Sequence, residues 1–227
     1  MASAISKQEI RRNPLAEWIG LVVRFVGGHR NLAVGFLVGF VIVSAGGSAY
    51  WWFTSRQERE ASAALAEAQT SLRGDKPGAP GNLDVATQQF RAVSEQYRGT
   101  ESGEEASIRL GNLQFENGKL DEAKATFDEY LKVYPRGRFV LMAGLGKAYV
   151  QEAKGDLQGA AQTLSDLVAR PDDGPLAGEA YSTLGRIYES LKKPDDAMRV
   201  YNQIVEQFPQ TSWAQNALDR MSSLKTK

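Results

Sequence analysis

The chain has 227 residues, 42% of them hydrophobic, with 27 basic and 27 acidic side chains, one histidine and no cysteine. A formal charge of zero gives no global field for holding nucleic acid. The missing cysteines exclude disulfide frameworks, Cys-ligated zinc or iron–sulfur centres, thiol nucleophiles and an acyl-cysteine lipid anchor. With a single histidine, His29, a metal site built on two histidines cannot form.

The first element, residues 1–31, is expected to be a cytoplasmic arm. Asn13 followed by Pro14 is a good helix start, and Leu15, Trp18, Ile19, Val22, Phe25 and Val26 recur at helical spacing. Two readings stand for this stretch: a short helix lying in the membrane interface, or a flank that forms only with the helix after it. His29, beside Arg30, reads as a polar flanking residue without catalytic partners nearby.

From Leu32 through Phe53, 22 consecutive residues carry no charge. As a helix they would span about 33 Å, the thickness of a bilayer core. The run closes on Tyr50, Trp51, Trp52 and Phe53, where an interfacial aromatic belt would sit. A buried helix of a soluble domain is the bland alternative. A cleaved signal peptide is the other, with Gly47 and Ala49 as the small residues before cleavage. Against it, 31 residues precede the run, and the run exceeds the usual signal core of about 7 to 15 residues. Lys7, Arg11, Arg12, Arg24 and Arg30 lie before the run, and Arg56, Arg59 and Arg73 in the twenty residues after it. This bias predicts an amino terminus in the cytoplasm and a carboxy-terminal domain across the bacterial inner membrane, in the periplasm. Gly35 and Gly39 form a GxxxG pair with Gly46 near the same face, a surface for helix packing in a homodimer or on another membrane protein.

After Thr54, apolar residues recur at intervals of three and four, punctuated by Gly, Pro and Asp pairs, which predicts helical hairpins. Leu110-Gly111, Leu145-Gly146 and Leu184-Gly185 are each followed by an aromatic, at Phe115, Tyr149 and Tyr188. Counting from Gly111, Gly118 falls at a turn, Ala123 and Phe127 in a second helix and Pro135 at its end. Counting from Gly185, Ala197, Tyr201 and Pro209 take the matching places. Gly and Ala let paired helices cross closely, the aromatics fill the holes beside them and the proline stops the second helix. The middle unit is expected to carry two extra residues in its first helix or turn, because Ala160 follows Gly146 by 14 positions.

These residues resemble the tetratricopeptide pattern, whose period is about 34, and QYRGTESGEEA and QFPQTSWAQNA resemble the linkers of periplasmic repeat proteins. The expected fold is all-α: a single transmembrane helix, 32–53, followed by a tetratricopeptide superhelix of antiparallel helix pairs, 54–227. Its parts are a degenerate unit at about 58–98, units at about 104–137, 139–174 and 178–209, and a capping helix at 210–225.

The whole layout is similar to the ancillary subunit family of the Sec translocon. That resemblance implies an adaptor with protein partners, namely translocon subunits and periplasmic chaperones, tethered to lipid through 32–53. An envelope coordinator of division or cell-wall synthesis, or an accessory subunit of a membrane enzyme complex, would share the layout. No catalytic residue, metal site or cofactor is expected: paired acids such as Asp121-Glu122 and Asp195-Asp196 fall at helix starts, and GLGKAY at Gly144 lacks the spacing of a phosphate-binding loop.

What the resemblance implies for the concave groove is a set of positions on the first helices. They are Glu105, Ile108, Asn112, Phe115 and Glu116; then Val140, Ala143, Lys147, Val150 and Gln151; then Glu179, Ser182, Arg186, Glu189 and Ser190. An apolar strip of Ile108, Phe115, Val140 and Val150 is expected there, suited to a partner's helix or an extended segment.

Overall fold

The computed structural model describes residues 30–73, 81–170 and 176–225. The stretch Asn13–Gly28 and His29 fall outside them. Among the described residues there are nine helices and no strand. They are α1 (Arg30–Arg73), α2 (Leu83–Gln96), α3 (Glu101–Glu116), α4 (Leu120–Val133), α5 (Val140–Ala153), α6 (Leu157–Val168), α7 (Ala177–Ser190), α8 (Pro194–Gln207) and α9 (Ser212–Lys225). The chain divides into two compact units, 1–55 and 56–227.

In the first unit, the apolar part of α1 is long and apolar enough to cross a membrane, and none of that window is buried. Phe40 is 72% exposed and Trp51 71%. A core helix of a soluble domain would be mostly buried, and this stretch is not. Gly35, Gly39 and Gly46 likewise face open space.

In the second unit each helix from α2 to α9 lies against the next. Local chemistry sets the starts. Asn82 Oδ1 accepts from the Val85 amide at 3.1 Å, Thr100 Oγ1 from Gly103 at 3.0 Å and Asp156 Oδ1 from Gly159 at 2.9 Å, while Pro194 opens α8. The α3 start has a second cap: the Glu58 carboxylate on α1 accepts from the Glu101 amide at 2.8 Å, the Ser102 amide at 3.1 Å and the Ser102 hydroxyl at 2.6 Å. The turns inside the pairs need a left-handed residue, supplied by Gly118 (φ 72°), Gly155 (φ 78°) and Lys192 (φ 57°).

The period is 37 residues. Ala86, Ala123, Ala160 and Ala197 on the second helices are each 37 after the last and fully buried, and Phe90, Phe127, Leu164 and Tyr201 repeat the same interval. Ala106, Ala143, Ala180 and Ala217 do so on the first helices. This corrects the expected insertion in the middle unit. Ala148, buried and seven residues before its turn, occupies the position of Gly111 and Gly185; α5 is as long as α7, so neither its helix nor its turn is lengthened. Gly146 misleads because it is a real close-approach glycine with a different neighbour. A side chain there would run into the ring of Phe127, which also lies against Gly111.

Leu65 and Ala68 of α1 close one core with α2 and α3, and a second core runs from α3 to α9. In α9, Ala214 and Ala217 are buried, while Ser222, at the position of Gly111, is exposed. That helix turns a polar face outward. The first helices α3, α5, α7 and α9 approach their counterparts closely and the second helices do not. Curvature of this sense puts the first helices on the inner side.

Candidate partner-binding surface

On α3 the expected inner positions divide. Asn112 and Glu116 are exposed, Glu105 and Phe115 are half-buried, and Ile108 is only 2% exposed. On α5 the expected set is largely in the core: Val140, Ala143, Val150 and Gln151 are all buried. Lys147 is half-buried and held by Asp128, Nζ to Oδ1 2.6 Å. The cause is the register error at Gly146, since two residues on a helix turn a side chain by about 200°. The 37-residue interval places Met142, Tyr149 and Glu152 on the inner face instead, matching Glu105, Asn112 and Phe115. On α7, Glu179, Ser182 and Glu189 are half-buried and Arg186 and Ser190 exposed. The apolar strip of Ile108, Val140 and Val150 is therefore interior, and only Phe115 of that set reaches the surface.

The charged inner positions are tied to one another across units. The Arg186 guanidinium on α7 donates to both carboxylate oxygens of Glu152 on α5, with Nη2 to Oε2 at 2.8 Å. The hydrogen bond and charge of Arg186 hold the Glu152 carboxyl below its usual range. The Tyr149 hydroxyl donates to Glu179 at 2.5 Å, and burial together with that carboxylate pushes the phenol up. Glu189 accepts from Tyr201 at 2.6 Å and from Arg220 of α9 at 2.9 Å. Burial raises the Asp128 carboxyl, but Lys124 and Lys147 outweigh it and the net shift is downward.

Sequence reasoning missed Met142, Tyr149, Glu152 and Arg220. The 37-residue interval from Ala123 to Ala160 was the signal that could have found the three on α5. Among the described residues no group of His, Asp or Glu could hold a metal ion.

Two clefts open on this face. One, of about 300 Å³ between α3 and α5, is lined by Glu105, Ile108, Asn112, Phe139 and Met142, with Arg109 and Arg138 at its edge. The other, of about 370 Å³, lies between α7 and α9 and includes Ser182, Arg186, Trp213 and Arg220. Trp213 also packs on Gly178, where a side chain would meet the indole at 2.6 Å. The inner face can thus hold a polypeptide by apolar contact and hydrogen bonds.

Comparison with known proteins gives the following. The tetratricopeptide repeat-like domain family matches residues 25–219. No curated protein matches the chain. Among solved structures, a tetratricopeptide repeat protein from Parabacteroides merdae is similar with TM-score 0.57 at 17% identity, over 75% of this chain and 61% of that one. The chain therefore spans about three fifths of that protein's length. MamA is similar with TM-score 0.55 at 16% identity, over 76% and 84% of the two chains. A MamA fragment from Desulfovibrio magneticus RS-1 gives 0.52 at 18% identity, over 73% and 93%. At these identities the likeness concerns the fold.

Proposed function

We propose, from the premise that the chain belongs to the tetratricopeptide repeat-like domain family, that it is a membrane-tethered scaffold whose inner face binds proteins and which performs no chemistry of its own. The observation that carries this reading is the extent of the family match. It begins at residue 25, ahead of the apolar helix, and runs to 219, which supports reading the apolar stretch and the repeats as one unit of the family. A tether and a peptide-sized inner face are what an adaptor needs.

The finer reading is a bacterial inner-membrane protein with its amino terminus in the cytoplasm, its repeats in the periplasm, and a place beside the Sec translocon from which it passes exported chains to chaperones. The excess of basic residues before the apolar run supports the orientation. The open glycines Gly35, Gly39 and Gly46 support a packing face on a second copy or on another spanning helix. The test is in cells. Alkaline carbonate should leave the full-length protein in the membrane. A photo-crosslinking residue at Ser182 on the inner face should capture translocon subunits and chaperones, whereas one at Asn202 on α8 should not. Release by carbonate, or equal capture from both faces, would overturn the proposal.

A further inference from the structure

The cleft of about 370 Å³ between α7 and α9 has an aromatic wall and a hydrogen-bonding rim. At the positions that hold Phe139 and Met142 on α5, two periods earlier, α9 carries Trp213 and Asn216, so an indole and a carboxamide replace a phenyl ring and a thioether. The half-buried indole is seated on Gly178, where a side chain would stand 2.6 Å from Trp213 Cδ1 and 2.9 Å from Nε1. Both guanidinium groups that line the cleft are engaged within the chain: Arg186 donates to Glu152, Nη2 to Oε2 2.8 Å, and Arg220 to Glu189 at 2.9 Å. The Tyr201 hydroxyl is likewise given to Glu189, at 2.6 Å. Other polar groups remain open. The Ser182 hydroxyl, the Trp213 Nε1–H and the exposed Asn216 carboxamide have no hydrogen-bond partner among the described residues, and the exposed Asp219 carboxylate accepts one long bond, from Gln215 at 3.4 Å.

We infer that this cleft binds a neutral saccharide built of N-acetylhexosamine units, with the C–H face of one ring on Trp213, ring hydroxyls on Asp219 and an acetamido group on Asn216. Such a ligand is additional to the protein partners proposed above and does not depend on them. A pyranose is apolar on its faces and hydroxylated at its rim. The indole face carries negative π-density that attracts polarised C–H groups, and covering it releases water. A carboxylate accepts from two hydroxyls side by side, and a carboxamide offers one donor and one acceptor, the complement of an acetamido group. Trp213, Asn216 and Asp219 follow one another at intervals of three, so aromatic, amide and acid step round one flank of α9 within about 9 Å of helix axis. That span suits one or two sugar rings. An anionic ligand would have to take Arg186 from Glu152 or Arg220 from Glu189, an exchange with little net gain at a solvent-exposed site. The preferred sugar is therefore uncharged.

The test uses the full-length protein in lipid nanodiscs, with empty nanodiscs subtracted, titrated calorimetrically with chitotriose, the β-1,4 trimer of N-acetylglucosamine. Binding should saturate, and raising NaCl from about 50 to about 500 mM should change the affinity by less than about twofold. Cellotriose, which lacks the acetamido groups, should bind about fivefold more weakly. Trp213→Ala should weaken chitotriose binding by about tenfold or more, and Asn216→Ala and Asp219→Ala by about fivefold each, with helicity by circular dichroism unchanged. Should Trp213→Ala lose helicity, the two exposed positions, Asn216→Ala and Asp219→Ala, decide. Absence of saturable binding, equal affinity for cellotriose, a steep loss with salt, or unchanged affinity in these variants overturns the inference. If no sugar binds while Ser182 still captures proteins in cells, the saccharide site falls and the scaffold reading stands; if chitotriose binds and capture fails, the reverse holds.

Discussion

Phe127 and Tyr201 sit at the same position of their repeats, 74 residues apart, in pairs α3–α4 and α7–α8. Both are buried, at 1% and 3% exposed, yet by different means. Phe127 has two glycines against its ring, Gly111 of its own pair and Gly146 of the next, and carries no polar atom that needs a partner. Tyr201 has Gly185 on one side and hands its hydroxyl to Glu189, which Arg220 of α9 also holds. The repeat fixes volume at this position and leaves polarity to the neighbours: an aromatic hydroxyl is admitted only where an acceptor stands ready.

Three substitutions test that contrast. The largest effect is expected from Phe127→Ala, which empties a fully buried site against Gly111 and Gly146 and should cost about 3–5 kcal/mol in denaturant unfolding. Next, Tyr201→Phe keeps the volume and deletes one hydrogen bond, for a loss of about 1 kcal/mol near neutral pH. The same variant has a pH signature. Burial and the Glu189 carboxylate raise the Tyr201 pKa from 10.0 to about 12, so the fold favours the neutral phenol. Its contribution is complete below pH 10 and fades as pH climbs toward 12. Tyr201→Phe should therefore lose less stability than the parent over that window, whereas no such limb can arise from position 127. The smallest effect is a gain: Lys192→Gly should add about 0.5–1 kcal/mol by supplying at α7–α8 the glycine that the equivalent turns have at 118 and 155. An unchanged midpoint would mean that Lys192 is held without strain.

Much of the architecture was legible because close helix crossings demand small residues at fixed intervals. Ala123 with Phe127 and Ala197 with Tyr201 exposed the second helices, and the stop at Pro135 agreed with them. The middle pair was misread because glycine marks close approach without saying to whom. Gly146 approaches the ring of the preceding pair, and taking it as the partner of its own second helix displaced the α5 face by two residues. The ties Glu152–Arg186 and Glu189–Arg220 were beyond reach for another reason. Their partners lie 34 and 31 residues apart, and whether such charges meet depends on the pitch of the stack, which no single repeat encodes. Asn112 was legible as an inner position, but that its carboxamide lacks a partner could be learned only once its neighbours were placed.

The clamp on Phe127 also governs how the array comes apart. In a linear stack, stability is the sum of each module's own term and a coupling term to its neighbour, and most side chains enter one sum. The Phe127 ring enters both, since it lies against Gly111 within its module and Gly146 in the next. Fraying that starts at α9 can peel α7 to α9 away without disturbing that ring, but it cannot take α5 without uncovering it. Opening of module α5–α6 is therefore expected to expose a ring that module α3–α4 also buries, so amides of the two modules should lose hydrogen-exchange protection together.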